Sequence, residues 1–559
     1  MFFSKKQIRE VIFLKTPDKK VLLWLHNHTK EIYLKIIVLT FIGIFISRLS
    51  VQFALQSKTV LDLATSGELS KDFYISIGQL IFLVLFQLGL QSFFTVINVE
   101  TTCKYSMHMR EKVFNTLLSK DWQSVTAYHT GELMNRINND TNIIVNGIMN
   151  IIPNFVSLVS RILFVFLALH SLDTTLTYIS LVVGPLVLIL TRIYSKKMKS
   201  LHKKCMETDG ITRSFMLETL QNILVIKTYR NHKPVTLKSR EYQQENFKYN
   251  MKKNYISILM NILFYLGLTA GYYLAFSYCA FKVAKGIMTV GTLTAVVQLI
   301  GQVQTPFKSI ASCIPQYFAA MASAERIVEL YNMKGENYSS VINNEYTTDN
   351  THLVEINGIY FSYDNNEIIF ENADFSMKKG EIVTIGGISG IGKSTLLKLI
   401  MGILKPQKGS VKVNIKAKNN AFSSYVPQGN MILSGTIKEN IAFYREINEE
   451  RITEAAKTAQ IYDFISQLPD GFDTVLGEKG LGLSEGQIQR IAIARAIYFD
   501  APLLILDEAT SALDENTELQ VLKNIKESGK SCIIISHKKA SFEICDKIIR
   551  IENKKIITD

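Results

Sequence analysis

The chain has 559 residues, of which 47% are hydrophobic and 20% are charged, with six cysteines and a formal net charge of +13. The length allows roughly three or four domains. This composition excludes a disordered chain, a collagen and a small disulfide-stapled protein. None of the cysteines has the spacing of a zinc site, so structural zinc is not expected. The averages leave open a chain that combines membrane and soluble parts.

The basic charge is concentrated in the hydrophobic N-terminal part. Residues 1–351 contain 37 Lys and Arg against 22 Asp and Glu, whereas residues 352–559 contain 25 against 27. The densest basic stretch, residues 192–253, is flanked on both sides by long apolar runs. The positive-inside bias of membrane proteins explains this pattern better than nucleic-acid binding, so no nucleic-acid partner is expected.

Six apolar stretches are each long enough to cross a hydrocarbon core of about 30 Å, which needs about 20 helical residues. They cover residues 32–55, 73–99, 143–169, 176–194, 255–283 and 290–314. The links after the second and fourth stretches are long and basic, which places them and the C-terminal part in the cytoplasm. Their helical periodicity predicts helices that continue beyond the membrane. Residues 19–25 combine lysines with a Trp-bearing apolar face and predict a helix lying in the membrane interface.

A glycine-rich motif stands between a predicted strand and a predicted helix in the C-terminal part. Its sequence is Gly387-Ile388-Ser389-Gly390-Ile391-Gly392-Lys393-Ser394-Thr395. This context is what a phosphate-binding P-loop requires, because glycines let backbone N–H groups approach phosphate oxygens at a helix N-terminus. Lys393 is predicted to reach the β- and γ-phosphates of ATP, and the Ser394 hydroxyl is predicted to bind Mg²⁺.

Two acidic residues, Asp507 and Glu508, follow the buried apolar run at residues 503–506. The carboxyl ends of parallel strands face the ligand crevice of an α/β sheet. Asp507 can hold Mg²⁺ there, usually through water, and Glu508 can orient or deprotonate the attacking water. A solvated pair of acids in a loop is the alternative, but the strand before them and the P-loop upstream favour the functional interpretation.

Together with Leu483-Ser484-Glu485-Gly486-Gln487, these motifs resemble the ATP-binding cassette (ABC) transporter family. The signature pentapeptide reads LSGGQ in most members, and here Glu485 replaces its first glycine. A carboxylate at this position would lie near the γ-phosphate bound by a partner cassette. A second departure from the family pattern is a shortened segment near residues 415–423.

The resemblance implies the roles of particular site residues. The catalytic residues it implies are Glu508, His537 and Lys393. The ATP-binding residues it implies are Tyr363 for adenine stacking, Gly387, Ser389, Gly390, Gly392, Lys393, Ser394, Thr395 and Gln428. Mg²⁺ would contact Ser394, Gln428 and Asp507, the signature residues Ser484, Gly486 and Gln487 would contact the partner's ATP, and Asp514 would lie in a dimer-interface loop.

The membrane half also resembles exporter-type members. Residues 130–140 and 215–227 look like their two cytoplasmic loops, and Ala324-Glu325-Arg326-Ile327 looks like the end of their sixth helix. By analogy, turns near residues 122–131 and 210–217 should contact the cassettes. The implied fold is a multidomain membrane protein with an all-α six-helix transmembrane domain and an α/β P-loop NTPase cassette. The predicted boundaries are a cytoplasmic N-terminus with the interfacial helix at 1–30, the transmembrane domain at 31–332, a linker at 333–351 and the cassette at 352–559.

The function implied is ATP-driven transport across a cytoplasmic membrane of bacterial type, with the cassette in the cytoplasm. Export of a peptide, a lipid or a hydrophobic drug-like molecule by alternating access of a dimer is the leading interpretation. An ATP-driven importer of exporter fold and an ATP-gated channel or regulatory membrane protein are the alternatives. ATP and Mg²⁺ are the expected cofactors, and the expected partners are the lipid bilayer and a second half-transporter, identical or different.

Three basic residues, Arg48, Arg161 and Lys308, lie within or near the predicted spans. Charge inside a membrane is costly and usually faces a cavity or a partner. For the two arginines, one interpretation is a cationic cavity suited to an anionic headgroup or a peptide carboxylate. The other is that they extend to the membrane interface or form an ion pair there. Lys308 lies near the cytoplasmic end of its span and is expected to be at the membrane interface.

Overall fold

The structure is a computed structural model that describes residues 19–67, 70–336, 352–363, 367–388, 390–414, 422–429, 432–477 and 482–558. Within these ranges, the side chains of residues 178–197, 199, 202–203, 264, 268, 303–312 and 314–315 lie outside the description. The chain divides into two compact units. The helical unit comprises Met1–Leu118 and Tyr128–Met333, and the α/β unit comprises Ser119–Ala127 and Lys334–Asp559.

Among the described residues, six helices of more than 30 residues build the helical unit. These long helices are α2 (Tyr33–Thr65), α3 (Lys71–Leu118), α6 (Thr141–Leu172), α7 (Thr174–Gln221), α9 (His232–Ala284) and α10 (Val290–Tyr331). The shorter helices in this part of the chain are α1 (Lys19–Thr29), α4 (Trp122–Thr126), α5 (Thr130–Asn135) and α8 (Ile223–Thr228). A π-helical turn, Arg136–Asp140, joins α5 to α6.

Four helical runs among the described residues are long and apolar enough to cross a membrane. They are Lys19–Thr65, Lys71–Leu118, Thr130–Leu172 and His232–Ala284, and they contain the first, second, third and fifth predicted spans. The predicted fourth span and part of the sixth lie in α7 and α10 where side chains are outside the description. Helices α3 and α9 have 48 and 53 residues, so at about 1.5 Å per residue they extend well beyond a bilayer, as predicted.

The N-terminal helix α1 directs its tryptophan into the protein. Trp24 is buried, stacks on His28 and meets the ring of Tyr331 edge-on with centroids 5.4 Å apart. Leu22 and Leu23 of the same helix are exposed. The indole therefore contributes to the core of the helical unit. Leu22 and Leu23 are the side chains of this helix that could contact a membrane interface.

The described strands of the α/β unit form three sheets. The strands are β1 (His352–Tyr363), β2 (Glu367–Lys378), β3 (Ile382–Gly386), β4 (Lys408–Val413), β5 (Ser423–Val426), β6 (Gly435–Thr436), β7 (Val475–Leu476), β8 (Leu503–Asp507), β9 (Ser531–Ile535), β10 (Lys547–Glu552) and β11 (Lys555–Thr558). The main sheet has the order β11-β10-β3-β9-β8-β5, in which only the β10–β11 pair is antiparallel. The others are an antiparallel sheet, β2-β1-β4, and the β6–β7 pair.

The described residues after β3 also form helices. They are α11 (Lys393–Ile400), α12 (Ile437–Ala442), α13 (Glu449–Thr458), α14 (Tyr462–Ser466), α15 (Glu485–Phe499), α16 (Glu515–Glu527) and α17 (Lys539–Ile544). Every residue of β3, β8 and β9 is buried. Along β8, Leu504 and Leu506 enter one hydrophobic cluster while Leu503 and Ile505 enter another, because successive strand residues face opposite sides. The predicted fold class, helical membrane domain and α/β domain, is confirmed.

Candidate functional site

The loop between β3 and α11 has the backbone conformation of a phosphate-binding loop. Gly387, Gly390 and Gly392 have φ angles of 133°, 83° and 110°, in the region that residues with a Cβ rarely adopt. A Cβ on Gly392 would lie 2.5 Å from Cγ2 of Ile369. Helix α11 begins directly after Gly392, so its unpaired N–H groups face the loop. Ser389, predicted to belong to this loop, lies outside the described residues.

Lys393 connects the P-loop to the end of β9. Its side chain is buried, and its Nζ donates to the carbonyl oxygen of Gly387 at 2.5 Å and lies 2.9 Å from Nε2 of His537. Burial lowers the pKa of Lys393, and the negative charges of Glu508 and Asp507 oppose this shift. The structure therefore brings together three residues that the resemblance makes catalytic.

Asp507 ends β8 beside the first turn of α11. Its carboxylate is buried, accepts a hydrogen bond from the Tyr425 hydroxyl at 3.0 Å and lies 3.5 Å from Oγ of Ser394. Desolvation raises the pKa of Asp507, and the hydrogen bonds from Tyr425 and Ser394 lower it in part. A hydroxyl and a carboxylate side by side are the hard oxygen ligands that Mg²⁺ prefers, so these residues fit that ion.

Sequence reasoning missed Tyr425. This residue lies on β5, which pairs in parallel with β8, and burial together with the charge of Asp507 raises the pKa of its hydroxyl. The available signal was an aromatic residue three positions before Gln428. Nothing in the sequence showed that β5 would be the neighbour of β8.

Glu508 and Gln428 form a second contact at the same sheet edge. Glu508 has a φ angle of 51°, and its N–H donates to the carbonyl oxygen of Ile535 at 3.0 Å. The amide nitrogen of Gln428 donates to Oε2 of Glu508 at 2.6 Å. A left-handed conformation is uncommon outside glycine and is found at functional sites. It turns the Glu508 carboxylate away from the strand direction of β8 and toward Gln428.

Tyr363 lies at the end of β1, and its hydroxyl is 3.3 Å from Oγ1 of Thr395. Its ring meets that of Phe361 edge-on, with centroids 5.1 Å apart. The predicted adenine-stacking residue is thus joined to the helix that begins at the P-loop. Residues 364–366, which follow Tyr363, lie outside the described residues, as do residues 415–421 of the segment predicted to be shortened.

The signature residues begin α15. The side chains of Ser484 and Gln487 each accept a hydrogen bond from the other's backbone N–H, which is a capping box. A Cβ on Gly486 would lie 3.1 Å from the carbonyl oxygen of Ala512, so the helix passes close to that loop. Glu485 is exposed at the first helical position. In the described part of the chain, no hydrogen bond or ion pair joins these residues to the P-loop of their own chain.

The predicted dimer-interface loop is fixed from two directions. Asp514 caps α16 by accepting a hydrogen bond from the N–H of Thr517, and the hydrogen bonds from Thr517 lower the pKa of Asp514. Lys538 donates from Nζ to the carbonyl oxygens of Thr510 and Leu513. Sequence reasoning missed Lys538, although it directly follows His537.

A short helix in the α/β unit contains a predicted contact of the first cytoplasmic loop. The indole of Trp122 in α4 lies under Lys398 of α11, with Nζ 4.4 Å from the ring centroid. The N–H of Asp121 donates to the carbonyl oxygen of Lys334 at 2.9 Å. Residues 210–217, the other predicted contact, lie within α7 of the helical unit.

The fold and the site define a membrane-embedded P-loop ATPase. Long apolar helices precede an α/β unit in which a P-loop lysine, two acids at the end of one strand and a histidine at the end of the next meet at one sheet edge.

Comparison with known families identifies both halves of the chain. Residues 36–307 match the ABC transporter transmembrane region, and residues 370–511 match the ABC transporter family's ATP-binding region. The chain belongs to the ABC transporter family. It is an integral membrane protein of exporter type that couples ATP hydrolysis to transport, as predicted. One transmembrane region fused to one ATP-binding region is the layout of a half-transporter, which implies dimerisation.

Individual relatives have the same layout. A putative export ATP-binding/permease protein from Rickettsia bellii (strain RML369-C) is 29% identical over 489 residues, which are 84% of each chain. A putative multidrug export ATP-binding/permease protein from Staphylococcus aureus (strain NCTC 8325 / PS 47) is 28% identical over 485 residues, 82% of this chain and 81% of the relative. The solved structure of a bacterial Atm1-family ABC exporter with ATP bound has a TM-score of 0.78 at 22% identity and covers 94% of both chains. This last likeness supports the fold.

Proposed function

We propose that Glu508 is the general base of ATP hydrolysis and that Lys393 and His537 stabilise the γ-phosphate. The observation that supports this assignment is the meeting of Lys393, Asp507, Glu508 and His537 at the carboxyl ends of β8 and β9 and at the P-loop. The Glu508 carboxylate would accept a proton from the water that attacks the γ-phosphorus, while the bond to the β,γ-bridging oxygen breaks and ADP leaves.

The residues for a divalent ion lie beside this base. Ser394 would bind Mg²⁺ through its hydroxyl, Asp507 through water, and Gln428 through its amide oxygen. When bound, Mg²⁺ neutralises charge on the β- and γ-phosphate oxygens. Gln428 also holds Glu508 through a hydrogen bond of 2.6 Å, so a ligand that turns the glutamine amide would release the glutamate carboxylate for water.

A second half-transporter would complete each ATP site. Ser484, Gly486 and Gln487 present the N-terminus of a 15-residue helix, which is suited to a phosphate supplied from another chain. Among the described residues, these side chains are engaged with their own helix and not with their own P-loop. The partner is either a second copy or a different half-transporter, with Asp514 in the contact between cassettes.

The cargo proposed is a peptide, a lipid or a hydrophobic drug-like molecule that leaves the cytoplasm. The names of the relatives from Rickettsia bellii and Staphylococcus aureus, one of them a putative multidrug exporter, support export as the direction. ATP binding would close the cassettes and phosphate release would open them, which is a population shift driven by ligand contacts.

Mg²⁺-dependent ATP hydrolysis by the chain purified alone in lipid nanodiscs tests these assignments. Glu508→Gln should lower kcat by about 10²–10⁴-fold, the range of a general base, and should leave ATP binding intact. Robust turnover that is lost in this variant would support a homodimer with two working sites. ATP binding without turnover in the unmodified chain would reject the homodimer and require a different partner chain.

A further inference from the structure

A polar cavity, open on one side, lies between α2, α3, α6 and α10 of the helical unit. Its volume is about 420 Å³, which is within the range of small-molecule sites. Gly43 and Ile46 of α2 and Phe94 of α3 form part of its apolar wall. Polar side chains come from three helices, namely Gln91, Asn150, Asn154, Ser157, Arg161 and Gln316.

The polar lining is concentrated on one face of α6. Asn150, Asn154, Ser157 and Arg161 are spaced by four, three and four residues, which places them on one stripe of a helix. The stripe is about 16 Å long at 1.5 Å per residue and lies within the third predicted span. Arg161 stands at its outer end, about 12 Å along the helix from the end of that span. The amides therefore extend from the arginine toward the cytoplasmic end.

Arg161 brings a half-buried cation to this cavity. Its Nε is buried and has no hydrogen-bond partner among the residues that the structure describes. The serine of the stripe is already engaged, since Oγ of Ser157 donates to the carbonyl oxygen of Gly43 at 3.0 Å. Asn150 receives one contact of 3.5 Å from Asn98. Nε of Arg161 is therefore a buried donor on the stripe that has no partner among the described residues.

No carboxylate of this chain is available to Arg161 inside the membrane. The six predicted spans contain no Asp or Glu, whereas they contain six basic residues, Lys35, Arg48, Arg161, Arg192, Lys282 and Lys308. Lys282 forms an ion pair with Asp173, which lies outside the spans. The same absence of acidic residues from the predicted spans holds for an identical second copy, because it is a property of the sequence. A cation within a membrane span that has no counter-ion is costly.

We propose that this cavity binds the anionic group of an amphipathic molecule, with Arg161 as the ion-pair partner of a carboxylate or a phosphate. The planar guanidinium fork suits two-point binding of either group. The amides of Asn154, Gln91 and Gln316 line the same space and supply further N–H donors. The inference rests on the proposed export function, and it narrows the cargo to an organic anion with an apolar part.

A matched pair of arginines allows a controlled test. Arg48 also lies in a predicted span, but its side chain is exposed and does not line the cavity. The full-length protein in phosphatidylcholine nanodiscs without ATP would be titrated with N-dansyl-glutamate and with its neutral diamide, followed by dansyl fluorescence. Because ATP is absent, this binding measurement is independent of whether the ATPase assignments hold.

We expect the unmodified protein to bind dansyl-glutamate at least tenfold more tightly than the diamide. Arg161→Gln should abolish the preference, Arg161→Lys should retain most of it, and Arg48→Gln should leave it within twofold. If the natural anion is a lipid headgroup, nanodiscs of mixed phosphatidylcholine and phosphatidylglycerol should retain phosphatidylglycerol in native mass spectra of the unmodified protein but not of Arg161→Gln.

Either preference supports the proposal, and the two arms distinguish a free organic anion from a lipid headgroup. The proposal is overturned if the unmodified protein prefers neither the anionic probe nor the anionic lipid, a comparison that requires no variant. It is also overturned if Arg161→Gln and Arg48→Gln change the preference equally, since the effect would then follow from total charge and not from the cavity.

Discussion

Asp507 is a buried carboxylate whose neighbours offset only part of the cost of its charge. Desolvation raises its pKa even though Tyr425 and Ser394 hydrogen-bond to it. In the folded protein it therefore binds a proton more tightly than in the unfolded chain. Its contribution to stability is present below the ordinary pKa of an aspartate and is lost as the pH rises through the raised value. At neutral pH Asp507 therefore lowers the free energy of unfolding, a cost that its proposed role in binding Mg²⁺ explains.

Asp507→Asn should therefore make the nucleotide-free protein more stable at pH 7–8 while abolishing Mg²⁺-dependent turnover. A gain of about 1 kcal/mol would raise the apparent Tm by about 2–4 °C, and the gain should fade as the pH falls toward 4. Thermal unfolding can be followed by tryptophan fluorescence in a Trp24→Phe background, in which the signal comes from Trp122 of the α/β unit. A lower Tm at pH 7–8 would contradict the assignment of the buried charge as destabilising.

Glu485 places a negative charge at the start of the signature helix, where it is exposed. Glu485→Gln removes the repulsion of a partner-bound γ-phosphate, so the KM for ATP should fall about two- to fivefold at low salt. The difference should shrink at high salt because the charges are then screened. Glu449→Gln is the matched control, since Glu449 is also an exposed acid at the first position of a helix. Equal effects of the two substitutions would argue against the assigned position of the signature.

At the scale of elements, two arginines join the turn before α6 to the end of α10. Arg326 of α10 binds the carboxylate of Asp140 at 2.5 and 2.8 Å, and Ser323 donates to the same group at 2.9 Å. Arg136 pairs with Glu132 at 2.8 Å and with Glu329 at 2.9 Å. The hydrogen bond to Asp140 is the main cause of the raised pKa of Arg326. The two arginines therefore connect two segments of the helical unit that lie almost two hundred residues apart in the sequence.

Arg326→Ala should destabilise the helical unit more than Arg136→Ala. The Asp140 side chain is 1% exposed. Removing Arg326 leaves this buried carboxylate without its ion-pair partner, which should lower the free energy of unfolding by about 3–5 kcal/mol. The Glu132 and Glu329 side chains are 46% and 56% exposed and can return to water, so Arg136→Ala should cost about 1–2 kcal/mol. Apparent Tm values in nanodiscs measure the order.

The double variant Arg326→Ala with Asp140→Asn is the control for this pair. Removing the charge of Asp140 should restore part of the stability lost in Arg326→Ala, because the buried side chain at position 140 is then a neutral amide. No recovery in the double variant would mean that Arg326 acts through packing and not through the ion pair.

At the scale of the whole molecule, each ATP site is proposed to be shared between two chains. Lys393→Ala disables the P-loop side, and Ser484→Arg disables the signature side. Each variant alone should be inactive, whereas a tandem-purified mixed dimer contains one complete site and should recover up to about half of the unmodified rate. Turnover of the differently tagged pair in nanodiscs is the measurement. A mixed dimer without turnover, beside an active unmodified protein, would contradict independent shared sites.

Contiguous motifs and long apolar runs were predictable from the sequence alone. The P-loop occupies residues 387–395 and the signature occupies residues 483–487, so the residues that define each motif are neighbours in the sequence. The apolar spans are also local features, because crossing a bilayer depends on the length and composition of one segment. The class of protein, its ATPase activity and most residues of the candidate site follow from such local patterns.

Contacts between distant segments were decided only by the tertiary structure. Tyr425 reaches Asp507 because β5 pairs with β8, and Arg161 lines a cavity while Arg48 does not because of how α6 and α2 are rotated. The same holds for Asp140, which meets Arg326 from 186 positions away. Many pairings of buried strands and helices satisfy the same hydrophobic pattern, and packing of the whole chain selects among them.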